Sequence, residues 1–150
     1  MNPEAALQHR EQVEAFRRKH RTGLVTLLFT DIVGSTALKQ ALGDREALAR
    51  IQQHHAFVRE LLHGLPDAEE VSTAGDSFFL VFNRPSDAVR LALQLQHRLR
   101  ELARDNPHPI QDRIGIHLGE VVMQQDEGKA RDLHGLHVDL AARVMGLAEG

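Results

Sequence analysis

The chain reads as an α+β protein in which helices pack on an open mixed sheet of ferredoxin-like type. Three observations predict it. Leu24 to Phe29 and Ser77 to Phe82 are apolar runs of strand length. Residues 36–62 and the stretch opened by Pro85 carry apolar residues at helical spacing. The resulting order of β, α, α, β, β, α, β alternates as split βαβ units do.

Each element has a local reason. Leu24 to Phe29 includes Val25 and Thr26, as expected of a central strand covered on both faces. Beyond the turn DIVGS, residues Leu38, Leu42, Leu48, Ile51, Val58 and Leu61 mark one kinked helix or two, with Gly43-Asp44 as break and new N-cap. Glu69 to Ser72 and Ser77 to Phe82 are short strands about a loop, Thr73 to Asp76, whose Gly75 can take positive φ. Pro85-Ser86-Asp87 opens a helix that closes at Asn106-Pro107. Ile110 to Val122 supplies one or two strands, Gln124 to Asp132 is expected to be a loop, and Val138 to Leu147 a last amphipathic helix.

At 150 residues, 42% hydrophobic and 26% charged, the chain is large enough for one packed domain. Eighteen basic against 21 acidic residues give a net charge of −3, and no basic tract alternates with aromatics, which argues against a nucleic-acid partner. Cysteine is absent, which removes disulfides and thiolate metal ligands and fits a reducing compartment. No apolar stretch is long enough to span a bilayer and residues 1–20 are too charged for a signal peptide, so the sequence reads as cytoplasmic. Residues 1–22 form an N-terminal helix or linker with little to bury, read either as a solvated cap or as a signalling helix joined to a regulatory domain.

Asp31 and Asp76 carry the chemical signal. Each sits in a turn beside an apolar run, and together they could give the carboxylate pair that a hard divalent cation wants. Val33, Gly34, Ser35 and Thr36 lie between Asp31 and the next helix, where backbone N–H groups at a helix start bind phosphate. The competing reading makes Ser35 or Thr36 an N-cap and Asp76 a turn former. His134 and His137 form HxxH, a spacing that solvated loops also produce.

Taken together, FTDIVGST, STAGDSFFLVF, RIGIHLGEV and DLHGLHVDLAARV resemble, in order, the catalytic domain of class III nucleotidyl cyclases, the adenylyl and guanylyl cyclases. The resemblance implies a catalytic domain over residues 23–150, continued past Gly150 by another strand and a dimer arm. It implies two Mg²⁺ or Mn²⁺ ions per site, held by Asp31, the carbonyl of Ile32 and Asp76. With them, a nucleoside triphosphate would become a 3′,5′-cyclic nucleotide and pyrophosphate. It further implies a homodimer whose second subunit gives Arg143 to the transition state and a ribose-orienting group at the position of Asp139. An i, i+4 surface pair is the plain alternative for those two residues.

Base choice would fall to Ser72 and Asp132. Ser72 replaces the lysine of adenylyl members and the glutamate of guanylyl members, whereas Asp132 matches the adenylyl-type acidic residue, so ATP is favoured. Asp139 stands where the family has asparagine. A catalytically impaired, nucleotide-binding regulatory module is therefore the alternative to an active enzyme.

Overall fold

The computed structural model describes residues 22–126, 129–134 and 136–150, with side chains described for residues 23–121 and 136–150. The expected helix or linker at residues 1–22 lies, but for Thr22, outside the described residues. Five strands, β1 (Thr22–Ile32), β2 (Ala68–Ala74), β3 (Ser77–Phe82), β4 (Asp112–Asp126) and β5 (Lys129–His134), form one sheet in the order β2-β3-β1-β4-β5. The helices are α1 (Ser35–Leu42), α2 (Asp44–His63), α3 (Pro85–Ala103) and α4 (Leu136–Gly146).

The sheet has the expected ferredoxin-like order, with one correction: among the described residues every neighbouring pair is antiparallel, so the sheet is not mixed. The reason is topological. Each helical crossover returns the chain parallel to the strand it left but leaves one lane open, and an antiparallel strand fills that lane.

A second correction concerns Gln124 to Asp132. These residues are not simply a loop: β4 runs on to Asp126, and β5 pairs back along it with Gln124 opposite Asp132. An edge strand meets one neighbour only, so it can be polar throughout and shows no apolar period to read. The two-helix reading of residues 36–62 holds, but Gly43 is the N-cap and Asp44 the first helical residue.

Strand alternation divides the core in two. Leu28, Phe78, Leu80 and Phe82 face α2 and α3, where they meet Val58, Leu91, Leu95 and Leu99. Val25, Leu27, Phe79, Val81 and Val121 face the other way and pack with Ala141 of α4. Burying side chains of this size is worth about 1.5 to 3 kcal/mol each. Helix α4 can lie close because β4 carries glycine beneath it. A Cβ at Gly115 would run into the Met145 backbone, and one at Gly119 into the His137 ring.

Candidate active site

Asp31 lies near the end of β1, on the α4 side of the sheet. Its register partners are Ser77 on β3 and Arg113 on β4, so three polar side chains share one row at the sheet's edge. Ser77 Oγ donates to Asp31 Oδ1 at 2.8 Å, and the Arg113 guanidinium donates to Asp31 Oδ2. Both Asp31 and Arg113 are partly buried, at 20% and 33% side-chain exposure. Arg113 Nε is buried without a protein partner, which leaves a donor in the site.

The row beneath is apolar. Phe29 and Phe79 stack with centroids 4.3 Å apart and planes within 7°, and Gly115 lies opposite Phe29. This floor fixes the backbone from which Asp31 and Ser77 project.

Asp76 is the second residue of the two-residue turn Gly75-Asp76, since Ala74 and Ser77 already pair. Gly75 has φ 62°, as a primed hairpin turn requires at its first position. Asp76 therefore adjoins Ser77, the residue hydrogen-bonded to Asp31. The two acidic positions found in the sequence, 45 residues apart in the chain (76 − 31), lie at the same end of the sheet.

The DIVGS turn completes this edge. Gly34 is the N-cap of α1 in the left-handed region, φ 66° and ψ 31°, and no side chain caps the helix, so neither Ser35 nor Thr36 serves as N-cap. Leu38 N–H makes the first bond, to Gly34 O at 2.9 Å, and the N–H groups of Ser35, Thr36 and Ala37 precede it. Val33 differs from expectation. Its N–H is taken by Gln111 O at 2.9 Å, so the turn's donors begin after it. Ile32 is buried and pairs in register with Asp112.

The remaining expected residues stand apart from this cluster. Ser72 is exposed on β2, beside a bulge, and Asp132 is on β5. These are opposite edges of the sheet, yet β2 and β5 approach within 8 Å at Cα level. Asp139 and Arg143 are exposed on α4, and among the described residues they form no ion pair with each other or with the Asp31 cluster. The surface-pair alternative thus finds no contact. His137 bonds with His117 at 3.0 Å, His134 lies outside the described side chains, and the described residues hold no group of three or more potential metal-ligating side chains.

Three residues, Arg113, Asp112 and His54, were missed by sequence reasoning. Arg113 opens RIGIHLG, and the antiparallel register that sets it opposite Asp31 is long-range information. Asp112 was missed with it. On the far face of the sheet Asp112 takes Thr30 Oγ1 at 3.1 Å and His54 Nε2 at 2.9 Å, and the His54 and Asp112 side chains are fully buried. His54 did have a signal, since Ile51, His54 and Val58 follow the buried stripe of α2.

The fold is that of a nucleotide cyclase domain. The family of adenylate and guanylate cyclase catalytic domains matches residues 18–150, and the chain belongs to it. A receptor-type adenylate cyclase of Trypanosoma brucei brucei is 32% identical over 169 residues, covering 88% of this chain and 14% of that protein. An uncharacterised protein of Mycobacterium tuberculosis is 36% identical over 140 residues, covering 86% of this chain and 46% of its own. The chain spans less than half the length of either relative.

A solved Trypanosoma brucei adenylate cyclase superposes with a TM-score of 0.72 at 31% identity, over 85% of this chain and 71% of that one. A bacterial light-regulated adenylyl cyclase, at 20% identity and TM-score 0.74 over 84% and 70% of the chains, shares the fold. Among the described residues, no helix is long and apolar enough to cross a membrane.

Proposed function

We propose that this domain converts a nucleoside triphosphate, with ATP favoured, to a 3′,5′-cyclic nucleotide and pyrophosphate at sites shared by two subunits. One observation carries the reading: Asp31 sits in a row with Ser77 and Arg113, beside the Asp76 turn and the uncapped start of α1. The donor set suits Mg²⁺ or Mn²⁺, because Asp31, Asp76 and the Ile32 carbonyl offer only hard oxygens. When bound, such ions lower the cost of ionising the ribose hydroxyl and of gathering negative charge on the phosphates.

The chain's own residues do the rest. In this structure Arg113 is the cation that meets Asp31. Once other positive charge meets that carboxylate, the guanidinium can turn to phosphate oxygens, which its planar fork matches. The N–H groups at the uncapped start of α1, those of Ser35, Thr36 and Ala37, would be further donors to phosphate. Exposed Arg143 on α4 is available to a second subunit's site, where it would stabilise charge developing in the transition state. Ser72 and Asp132 would face the base, and Asp139 the ribose.

Incubation of the protein and Mn²⁺ with labelled ATP, GTP, CTP and UTP tests the reading. Cyclic product from ATP is expected, and none from any nucleotide overturns it. Asp31→Ala and Arg143→Ala should each be inactive alone yet regain activity when mixed, since a mixed dimer holds one intact site. Nucleotide binding without turnover would favour the regulatory-module alternative suggested by Ser72 and Asp139.

A further inference from the structure

On the face of the sheet away from Asp31, a cavity of about 280 Å³ opens between α2, the end of α3 and the segment leading into β4. Phe57, Leu99, Leu102 and Ile110 give it an apolar wall. Its polar lining comprises Arg50, Gln53, Asn106 and His54, with no acidic side chain among them.

These polar groups are placed to hold a ligand. Arg50 is partly buried, with Nε on Glu46 at 3.1 Å and Nη1 on the His108 carbonyl at 3.4 Å, which leaves its Nη2 edge. Asn106 Oδ1 accepts from His108 N–H at 3.0 Å, which leaves the amide nitrogen as a donor. His54 is 1% exposed; Nε2 is held by Asp112, whereas Nδ1 is buried with no partner. His54 Nδ1 thus adds one unmet polar atom to a residue of the lining.

We infer that this cavity binds a small apolar monocarboxylate, its carboxylate on Arg50 and Asn106 and its hydrocarbon body along Phe57, Leu99 and Leu102. At roughly 30 Å³ per water, the space equals about nine waters, which suits a ligand of about ten non-hydrogen atoms. Apolar walls with a few convergent donors are the usual make-up of such sites. One contact links the cavity to the proposed active site: the His54 ring holds Asp112, the residue before Arg113. Only that link to turnover rests on the cyclase reading.

Calorimetry on the full chain without nucleotide tests the inference, using octanoate and 3-phenylpropionate with 1-octanol as the uncharged control. At least one acid should bind, at least tenfold more tightly than the alcohol. Arg50→Gln should weaken that binding at least tenfold, and Leu102→Trp, which fills the cavity, should abolish it. No heat from either acid up to about 5 mM, equal binding of the alcohol, or unchanged binding in Arg50→Gln overturns the assignment. Since nucleotide is absent, any of these results leaves the cyclase reading standing.

Discussion

Asp31 and Arg113 face each other across β1 and β4 as register partners, with the guanidinium donating to the Asp31 carboxylate. Sheet pairing alone thus brings this carboxylate and this guanidinium together. Arg113→Ala is expected to lower kcat/KM for the triphosphate by roughly 10² to 10³, the scale of losing one well-placed charge-stabilising donor. Arg113→Lys should recover only part, since an ammonium lacks the planar fork. Steady-state kinetics at saturating Mn²⁺ checks both.

Asp112 is held by Thr30 and His54 in the core, directly behind the Asp31 row. His54→Ala removes one partner of a buried hydrogen-bonded pair and should cost about 3 to 5 kcal/mol of stability. Urea unfolding would measure it. A loss under about 1 kcal/mol would mean that the pair is already solvated.

Stability should fall as pH drops below the ordinary imidazole value toward the lower value that His55 holds in the fold. Burial, helped by neighbouring His54, holds His55 below the ordinary imidazole value of 6.5. In that interval the unfolded chain takes up the proton first, so folding loses stability until His55 itself is protonated. Glu70 adds a lower step. The Arg59 hydrogen bonds hold it below its usual 4.5, so its contribution is present above 4.5 and lost as pH falls through the folded value. His55→Gln should flatten the thermal midpoint against pH in the upper interval, and Glu70→Gln in the lower.

Gly119 lets α4 lie on β4, for a Cβ there would enter the His137 ring. Gly119→Ala should therefore cost about 1 to 3 kcal/mol by overpacking and shift the helix that carries Arg143. The paired expectation is a lower thermal midpoint together with lower turnover. A change in stability without one in turnover would separate α4 placement from catalysis.

Much of this was legible in the sequence, for reasons tied to particular residues. Leu24 to Phe29 and Ser77 to Phe82 announced central strands because burial on both faces leaves a continuous apolar run. Gly43 and Gly75 marked breaks that the backbone takes with positive φ. Asp31 and Asp76 stood out as acidic residues beside those strands; Asp76 is in a turn as expected, but Asp31 is still within β1, because the sheet pairs it on both sides. The β4–β5 hairpin was not legible, because a polar edge strand carries no period. Arg113 escaped as well, since its meaning comes from a partner 82 residues away (113 − 31). His54 lay in view on the buried stripe of α2, but its partner is set by the same long-range register.

The central claim is that Asp31 and Asp76 converge on shared cations that grip a nucleoside triphosphate. Electron paramagnetic resonance of Mn²⁺ titrated with a non-cyclisable ATP analogue tests it most directly. The account predicts two spin-coupled Mn²⁺ ions per site, lost in both Asp31→Asn and Asp76→Asn while each variant keeps its fold. Unchanged coupled Mn²⁺ in either variant would contradict it.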